Sequence, residues 1–354
     1  MLAINGRFLS QRMTGVQRFA HEVTAALDAM AAEGALPGAA LLLPSGTASP
    51  FPHLPVRQGR MTGQGFEQAE LPLMARGRVL LNLGNTAPLA MGGRQLVVLH
   101  DAGAFDTPES YSLAFRSWYR VLHRALPRLG ARIVTVSEFS RGQLAQHLGI
   151  GPARIALVGE SGEHILREAP DTALLTKHGL ARQRFALVVG TRAAHKNLGG
   201  LAEVAGLLGR HGMKLAVAGA VDPAVFRAEA GPAGEHVAPL GRVSDAELRG
   251  LYDTALCLLF PSRYEGFGLP PIEAMSCGCP VIASASASLP EVCGEAALWF
   301  DLNGPRRLVD ALERLITEDG LAAHLAAAGR ARAAGFTWRG AAQTLLSLLP
   351  RNAA

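Results

Sequence analysis

The sequence predicts an α/β protein: two lobes of doubly wound parallel sheet facing a central cleft. Short apolar runs rich in Val, Ile and Leu alternate with longer helix-patterned stretches, as parallel strands joined by crossover helices do. The alternation runs twice, separated by a polar interval, residues 168–184, that holds Glu168, Pro170, Asp171, Lys177 and His178. The length, 354 residues, suits two domains that each bury a core.

In chain order, buried strands are expected at Leu41–Leu43, Val79–Leu83, Leu96–His100 and Ile133–Val136, then at Phe185–Val189, Lys214–Ala218, Leu256–Phe260 and Val281–Ala283. In open α/β sheets ligands sit beyond the carboxyl ends of the strands, so the residues that follow these runs are where chemistry is sought. Gly15-Val16-Gln17-Arg18 closes the first strand-to-helix loop. Thr107-Pro108-Glu109 reads as a helix cap with a proline at the first helical position, and Ser244-Asp245-Ala246-Glu247 as a capping box. Arg116, Arg120, Arg124 and Arg128 recur every fourth residue opposite Leu122, Ala125 and Leu126, a basic ridge that Pro127 is expected to end. A solvated face is the ordinary reading of such a ridge, and contact with an anionic bilayer or lipid-diphosphate acceptor the sharper one. Ala-rich helix is expected over Leu321–Ala334, and a last helix after Phe336-Thr337-Trp338-Arg339.

Composition removes several classes. With 49% apolar and 18% charged residues, disorder, collagen and coiled coil fit poorly. The net charge of +5 is spread along the chain with no basic tail, which disfavours nucleic acid as a partner. The four cysteines suit free structural thiols in a reducing compartment. Met1 to Arg7 lacks the apolar run of a signal peptide, and the long uncharged stretch from Gly34 to Val56 carries five prolines, so no spanning helix is expected. No strand followed by G-x-G-x-x-G opens either lobe, which disfavours a nicotinamide oxidoreductase.

The most informative segment is Phe260-Pro261-Ser262-Arg263-Tyr264-Glu265-Gly266-Phe267-Gly268-Leu269-Pro270-Pro271-Ile272-Glu273. A strand ends, a glycine loop lets backbone approach a ligand, and tandem prolines start a helix with Glu273 in its first turn. A helix N-terminus favours a phosphate, and an acidic residue there can accept from a ribose diol. In isolation the two glutamates would be read as complements to the helix dipole and turn caps.

The segment resembles the E-x7-E signature of the retaining glycosyltransferases of family 4, whose fold is GT-B. Gly190-Thr191-Arg192-Ala193-Ala194-His195-Lys196-Asn197 is similar to that family's donor-diphosphate motif, with Lys196 at the phosphate-binding lysine. Asn82-Leu83-Gly84-Asn85-Thr86-Ala87-Pro88, Leu99-His100-Asp101 and Ser288-Leu289-Pro290-Glu291 extend the likeness over nearly the whole chain.

The resemblance implies an N-terminal Rossmann-like acceptor-binding domain (1–167), the linker 168–184, a C-terminal Rossmann-like nucleotide-sugar donor-binding domain (185–335) and a C-terminal helix (336–354) returning to the first domain. It implies His100, Glu265 and Lys196 at the reaction centre, with Gly15, Val16, Arg192, Lys196, Gly266, Phe267, Gly268, Leu269 and Glu273 binding the donor. The expected activity is transfer of a hexosyl group, mannose favoured, to a glycan or lipid-linked glycan of a bacterial surface polysaccharide or lipopolysaccharide. A GDP-sugar is favoured over a UDP-sugar as co-substrate, with no cofactor and no metal. A cytoplasmic protein, peripheral at the inner membrane face, is the expected setting. A GT-B sugar-nucleotide epimerase and a catalytically silent nucleotide-sugar-binding protein are the alternatives; without partner glycan, an assay on donor alone separates them.

Overall fold

The apolar runs become the strands of two wholly parallel sheets in a computed structural model of the chain, which describes residues 1–108, 112–190, 196–197, 201–219, 235–304 and 307–350. The first sheet contains β1 (Leu2–Asn5), β2 (Ala40–Leu43), β3 (Val56–Gln58), β4 (Val79–Asn82), β5 (Gln95–Val98), β6 (Arg132–Thr135) and β7 (Ile155–Leu157). Their order is β3-β2-β1-β4-β5-β6-β7. The second contains β8 (Phe185–Val189), β9 (Lys214–Ala218), β10 (Val237–Gly241), β11 (Cys257–Phe260), β12 (Val281–Ser284) and β13 (Ala297–Phe300), in the order β10-β9-β8-β11-β12-β13.

Central strands such as β1, β4, β5 and β11 are buried along their whole length, because helices cover both faces of a parallel sheet. In the first unit, Val97, Leu99 and Ile133 pack against Leu122, Leu126 and Leu144 on one face, while Leu42 and Leu80 meet Phe66 and Leu71 on the other. In the second, Val188, Leu215 and Leu259 pack against Leu201, Leu208, Leu312 and Leu315. The four cysteines are free and buried. Burial pushes the Cys277 and Cys293 thiols up to about 12, which keeps them inert as nucleophiles.

The chain divides into two compact units, Met1–Glu160 with Thr337–Ala354, and Ser161–Phe336. Residues 168–184, read from sequence as the linker, lie inside the second unit and include the helix Ala173–His178, anchored by buried Leu174. The helix Trp338–Ser347, capped by the Thr337 hydroxyl, belongs to the first unit. There Trp338 meets the Phe19 ring edge at 5.8 Å, and Arg339 pairs with Glu33.

The capping box at Ser244 and Glu247 is present. At Thr107 a 3-10 turn opens with Pro108, and residues 109–111 lie outside the described ones; the basic helix is a separate element, Leu113–Arg128, capped by Ser112, whose hydroxyl accepts from the Phe115 amide. The Thr107 hydroxyl bonds back to the Gly103 carbonyl, closing the short helix Gly103–Asp106, and Glu109 lies outside the described residues. Pro127 does not end the basic helix but occupies its last turn. Among the described residues no helix is long and apolar enough to cross a membrane.

Candidate active site

In the second sheet the strand order reverses between β8 and β11. Connections leave that point in opposite directions, which opens a ligand crevice at the carboxyl ends of the two strands. The segment after β8 carries Lys196 and the loop after β11 carries Glu265, and the two meet: Lys196 Nζ donates to Glu265 Oε1 at 2.6 Å. Both side chains are mostly withdrawn from water, at 16% and 13% exposure. The ammonium also lies 5.1 Å from the centroid of the Phe260 ring, whose π face favours a cation. Beside it Asn197, at φ 52°, accepts from Arg263 Nε and NH2 at 3.1 and 2.9 Å.

The glycine loop is clamped from below. Ser288 Oγ is 3.0 Å from the Glu265 carbonyl and 2.9 Å from that of Phe267, so one hydroxyl on a neighbouring turn holds both ends of Gly266. Gly268 sits at φ 107° as the residue before the helix Leu269–Cys277, whose first turn contains Pro270 and Pro271. That φ is unfavourable for any residue with a Cβ, and one added here would come within 2.7 Å of Leu289 Cδ2.

Glu273 lies beyond the first turn of this helix, not within it as the sequence suggests, because the helix begins already at Leu269, and it projects into a buried polar nest. Its Oε1 accepts from His164 Nε2 at 3.1 Å and its Oε2 from the Tyr252 hydroxyl at 3.0 Å. Burial, followed by the charge and hydrogen bond of Glu273, raises the Tyr252 phenol well above its ordinary pKa, so it remains a donor. His164 reaches Glu273 because Gly162 lets the two segments touch: a Cβ on Gly162 would lie 2.5 Å from the Ile272 carbonyl oxygen and 2.6 Å from the Glu273 amide. Neither His164 nor Tyr252 stands out in the sequence; the only signal for them is a buried carboxylate that needs two donors.

His100 belongs to the first unit, just beyond β5. It is buried, with Nδ1 3.0 Å from Glu160 Oε1 and Nε2 3.0 Å from the Leu83 carbonyl. Two acceptors on one ring favour the imidazolium. Burial opposes that charge, but the hydrogen bond and charge of Glu160, the Leu83 carbonyl and Asp101 outweigh it and raise the His100 pKa. Gly15 and Val16 open the helix Gly15–Ala32, also in the first unit. Arg192 lies outside the described residues.

The basic ridge is not a uniform free face. Arg120 donates to the carbonyls of Ala104 and Phe105, Arg124 to that of His147 and Arg128 to that of Arg124. Leu113 and Val121 of the same helix are strongly exposed.

Two parallel-sheet units, one of them carrying a lysine–glutamate pair and a helix-borne buried glutamate at its switch point, define a GT-B protein. Two solved structures share that fold over nearly their full lengths. WaaG, a glycosyltransferase involved in lipopolysaccharide biosynthesis, superposes with a TM-score of 0.72 at 17% identity over 99% of both chains. HepE of Anabaena in complex with UDP-glucose gives 0.72 at 16% identity over 98% of this chain and 99% of that one. The family described as glycosyl transferases group 1 matches residues 173–332. The O-antigen chain mannosyltransferase B of Escherichia coli is 34% identical over 256 residues, 69% of this chain and 67% of that protein. An MMP alpha-(1->4)-mannosyltransferase of Mycolicibacterium hassiacum is 29% identical over 65% of this chain and 57% of that protein. The chain belongs to the group 1 glycosyltransferases.

Proposed function

We propose that the protein is a retaining glycosyltransferase of family 4 that transfers mannose from a GDP-sugar to a glycan or lipid-linked glycan acceptor of a bacterial surface polysaccharide. The observation that carries this reading is the meeting of Lys196 and Glu265 at the switch point of the second sheet. A lysine ammonium has three donors, so Lys196 holds Glu265 and still has two N–H groups for a diphosphate. The cation then stands between the carboxylate that lies along the donor sugar and the leaving group whose charge grows as the bond to the sugar breaks. The helix after Gly268 begins Leu269-Pro270-Pro271, and its prolines carry no N–H, so it offers the same anion its dipole and the Leu269 N–H, while the outer lone pairs of Glu273 take the ribose hydroxyls.

In the proposed reaction the bond between the sugar's anomeric carbon and the diphosphate oxygen breaks, its electron pair leaving with the diphosphate. The acceptor hydroxyl attacks the same face, and its proton passes to the departing oxygen. No cofactor or metal enters. Gly15, Val16 and Arg192 are assigned to the diphosphate and His100 to the transferred sugar by resemblance. Mannose and a surface-polysaccharide acceptor are favoured by the O-antigen mannosyltransferase relative. The protein is placed in the cytoplasm, with Arg116, Leu113 and Val121 as its contact to an anionic membrane surface.

The test is a thermal-shift panel of GDP- and UDP-sugars read together with free nucleotide release, with Glu273→Ala as the control. A shift from GDP-mannose that the variant loses supports the reading. A panel with no shift from any donor or free nucleotide overturns it. Proton NMR of the product then assigns retention or inversion.

A further inference from the structure

The first sheet reverses its strand order between β1 and β4, as the second does between β8 and β11, so the first unit has a topological switch point of its own, the place where open α/β sheets take ligands. Asn5 and Asn82 end these two strands side by side, Asn5 Nδ2 donating to Asn82 Oδ1 at 3.0 Å and to Glu67 Oε1 at 3.0 Å. Glu67 is completely buried and also accepts from Thr86 Oγ1 at 2.8 Å and Arg7 NH1 at 3.0 Å. It comes from a single π-helical turn, Phe66–Glu70, a rare element found most often at functional sites. A carboxylate this enclosed is out of a ligand's reach, and its effect is to hold Arg7.

Arg7 NH1 bridges Glu67 and Thr86 Oγ1, the latter at 3.1 Å. The other edge of the guanidinium, Nε–H and NH2, has no partner among the described residues, on a side chain that is 15% exposed. Tyr119 flanks the same loop: its ring meets the edge of His123 at 5.4 Å, and His123 Nε2 bonds to the carbonyl of Asn85, next to Thr86. Burial raises the Tyr119 phenol pKa, with Arg7 lowering and Glu67 raising it as smaller causes, and the hydroxyl makes no hydrogen bond among the described residues. Its ring stacks on half-exposed Phe115 at 3.9 Å.

We propose that Arg7 and Tyr119 form a sugar-hydroxyl subsite of the first unit, which takes a vicinal diol of a neutral glycan acceptor. Glu67 balances the charge of Arg7, so the cluster has donors to offer without net attraction for an anion, and the Tyr119 and Phe115 rings supply an apolar surface for the C–H face of a pyranose. Burying an ion pair costs several kcal/mol in desolvation; here it fixes a planar donor fork in one orientation. The inference rests on the reading that the protein glycosylates a glycan.

The experiment is saturation-transfer NMR on the full chain with methyl α-D-mannopyranoside as probe, beside a GDP thermal shift on the same samples. Arg7→Lys keeps the charge opposite Glu67 but loses the fork, and Tyr119→Phe removes only the hydroxyl. Each is expected to weaken the probe about tenfold, the loss of one hydrogen bond to a charged or buried donor, with the GDP shift retained. Glu67→Gln, which frees Arg7 from its anchor, is expected to weaken the probe likewise. Absence of a probe signal in the wild type, equal signals in wild type and both contact variants, or displacement of the probe by inorganic phosphate would overturn the subsite. A lost GDP shift with the probe signal intact would instead remove the donor reading and leave the subsite standing.

Discussion

Glu273, in its proposed role, illustrates how neighbours prepare a side chain for binding. Tyr252 and His164 each occupy one of its oxygens, which fixes the carboxylate plane and leaves the remaining lone pairs for a diol. Tyr252→Phe is therefore expected to cost about 1 kcal/mol of donor binding, read as a roughly fivefold rise in donor KM with kcat little changed. Two histidines of the first unit predict opposite pH dependences. His123 is buried with its pKa lowered to about 4 by desolvation, against a hydrogen bond to Asn85 that favours its charge. Its contribution to stability is present above pH 6.5 and lost as pH falls toward 4, about 3 kcal/mol in all. His100, with a raised pKa, contributes stability that is complete below its ordinary value and lost as pH rises through the raised one. Urea unfolding across pH 4 to 8 checks both: His123→Leu should flatten the acid limb, and His100→Gln the neutral one.

At the scale of elements, the close approach of two backbones shapes the proposed donor site. Gly162 brings the segment bearing His164 onto the helix Leu269–Cys277, and Gly268 turns the chain into that helix at φ 107°. Gly268→Ala is expected to destabilise the protein by about 1–3 kcal/mol, through a strained φ and the contact with Leu289, and to abolish nucleotide protection. A thermal melt with and without GDP reads both effects. Ser244→Ala removes the capping box of the helix Asp245–Thr254, which carries Tyr252; it should cost about 1 kcal/mol of stability, read as a lower melting temperature without GDP.

On the scale of the whole molecule, the chain crosses between its units twice, after Glu160 and after Phe336. The final helix therefore completes the unit that the N-terminus began. Trp338 and Leu345 are buried there, with Trp338 against Phe19, and each such side chain contributes about 1.5–3 kcal/mol by burial. A chain ending at Gly335 is expected to lose turnover and to expose apolar surface in the first unit. Full turnover with an unchanged melting temperature would show that the helix is dispensable.

The two-sheet α/β class and eight strand positions were legible as continuous apolar runs, because a strand covered on both faces has no reason to alternate. The strands the runs did not reveal are β1 and the four sheet edges, β3, β7, β10 and β13. An edge has a solvent side and tolerates Arg57 or Pro239, which breaks the run. Glu265, Glu273 and Lys196 stood out in the sequence through their resemblance to family motifs, which assigns candidates and leaves their contacts open. That Lys196 and Glu265, 69 positions apart, form a contact, that Tyr252 and His164 hold Glu273, and that Glu67 aims Arg7 were decided by tertiary structure alone. Periodicity follows from forces acting over a few residues, whereas the partners of a buried charge depend on which strand ends the sheet order brings together.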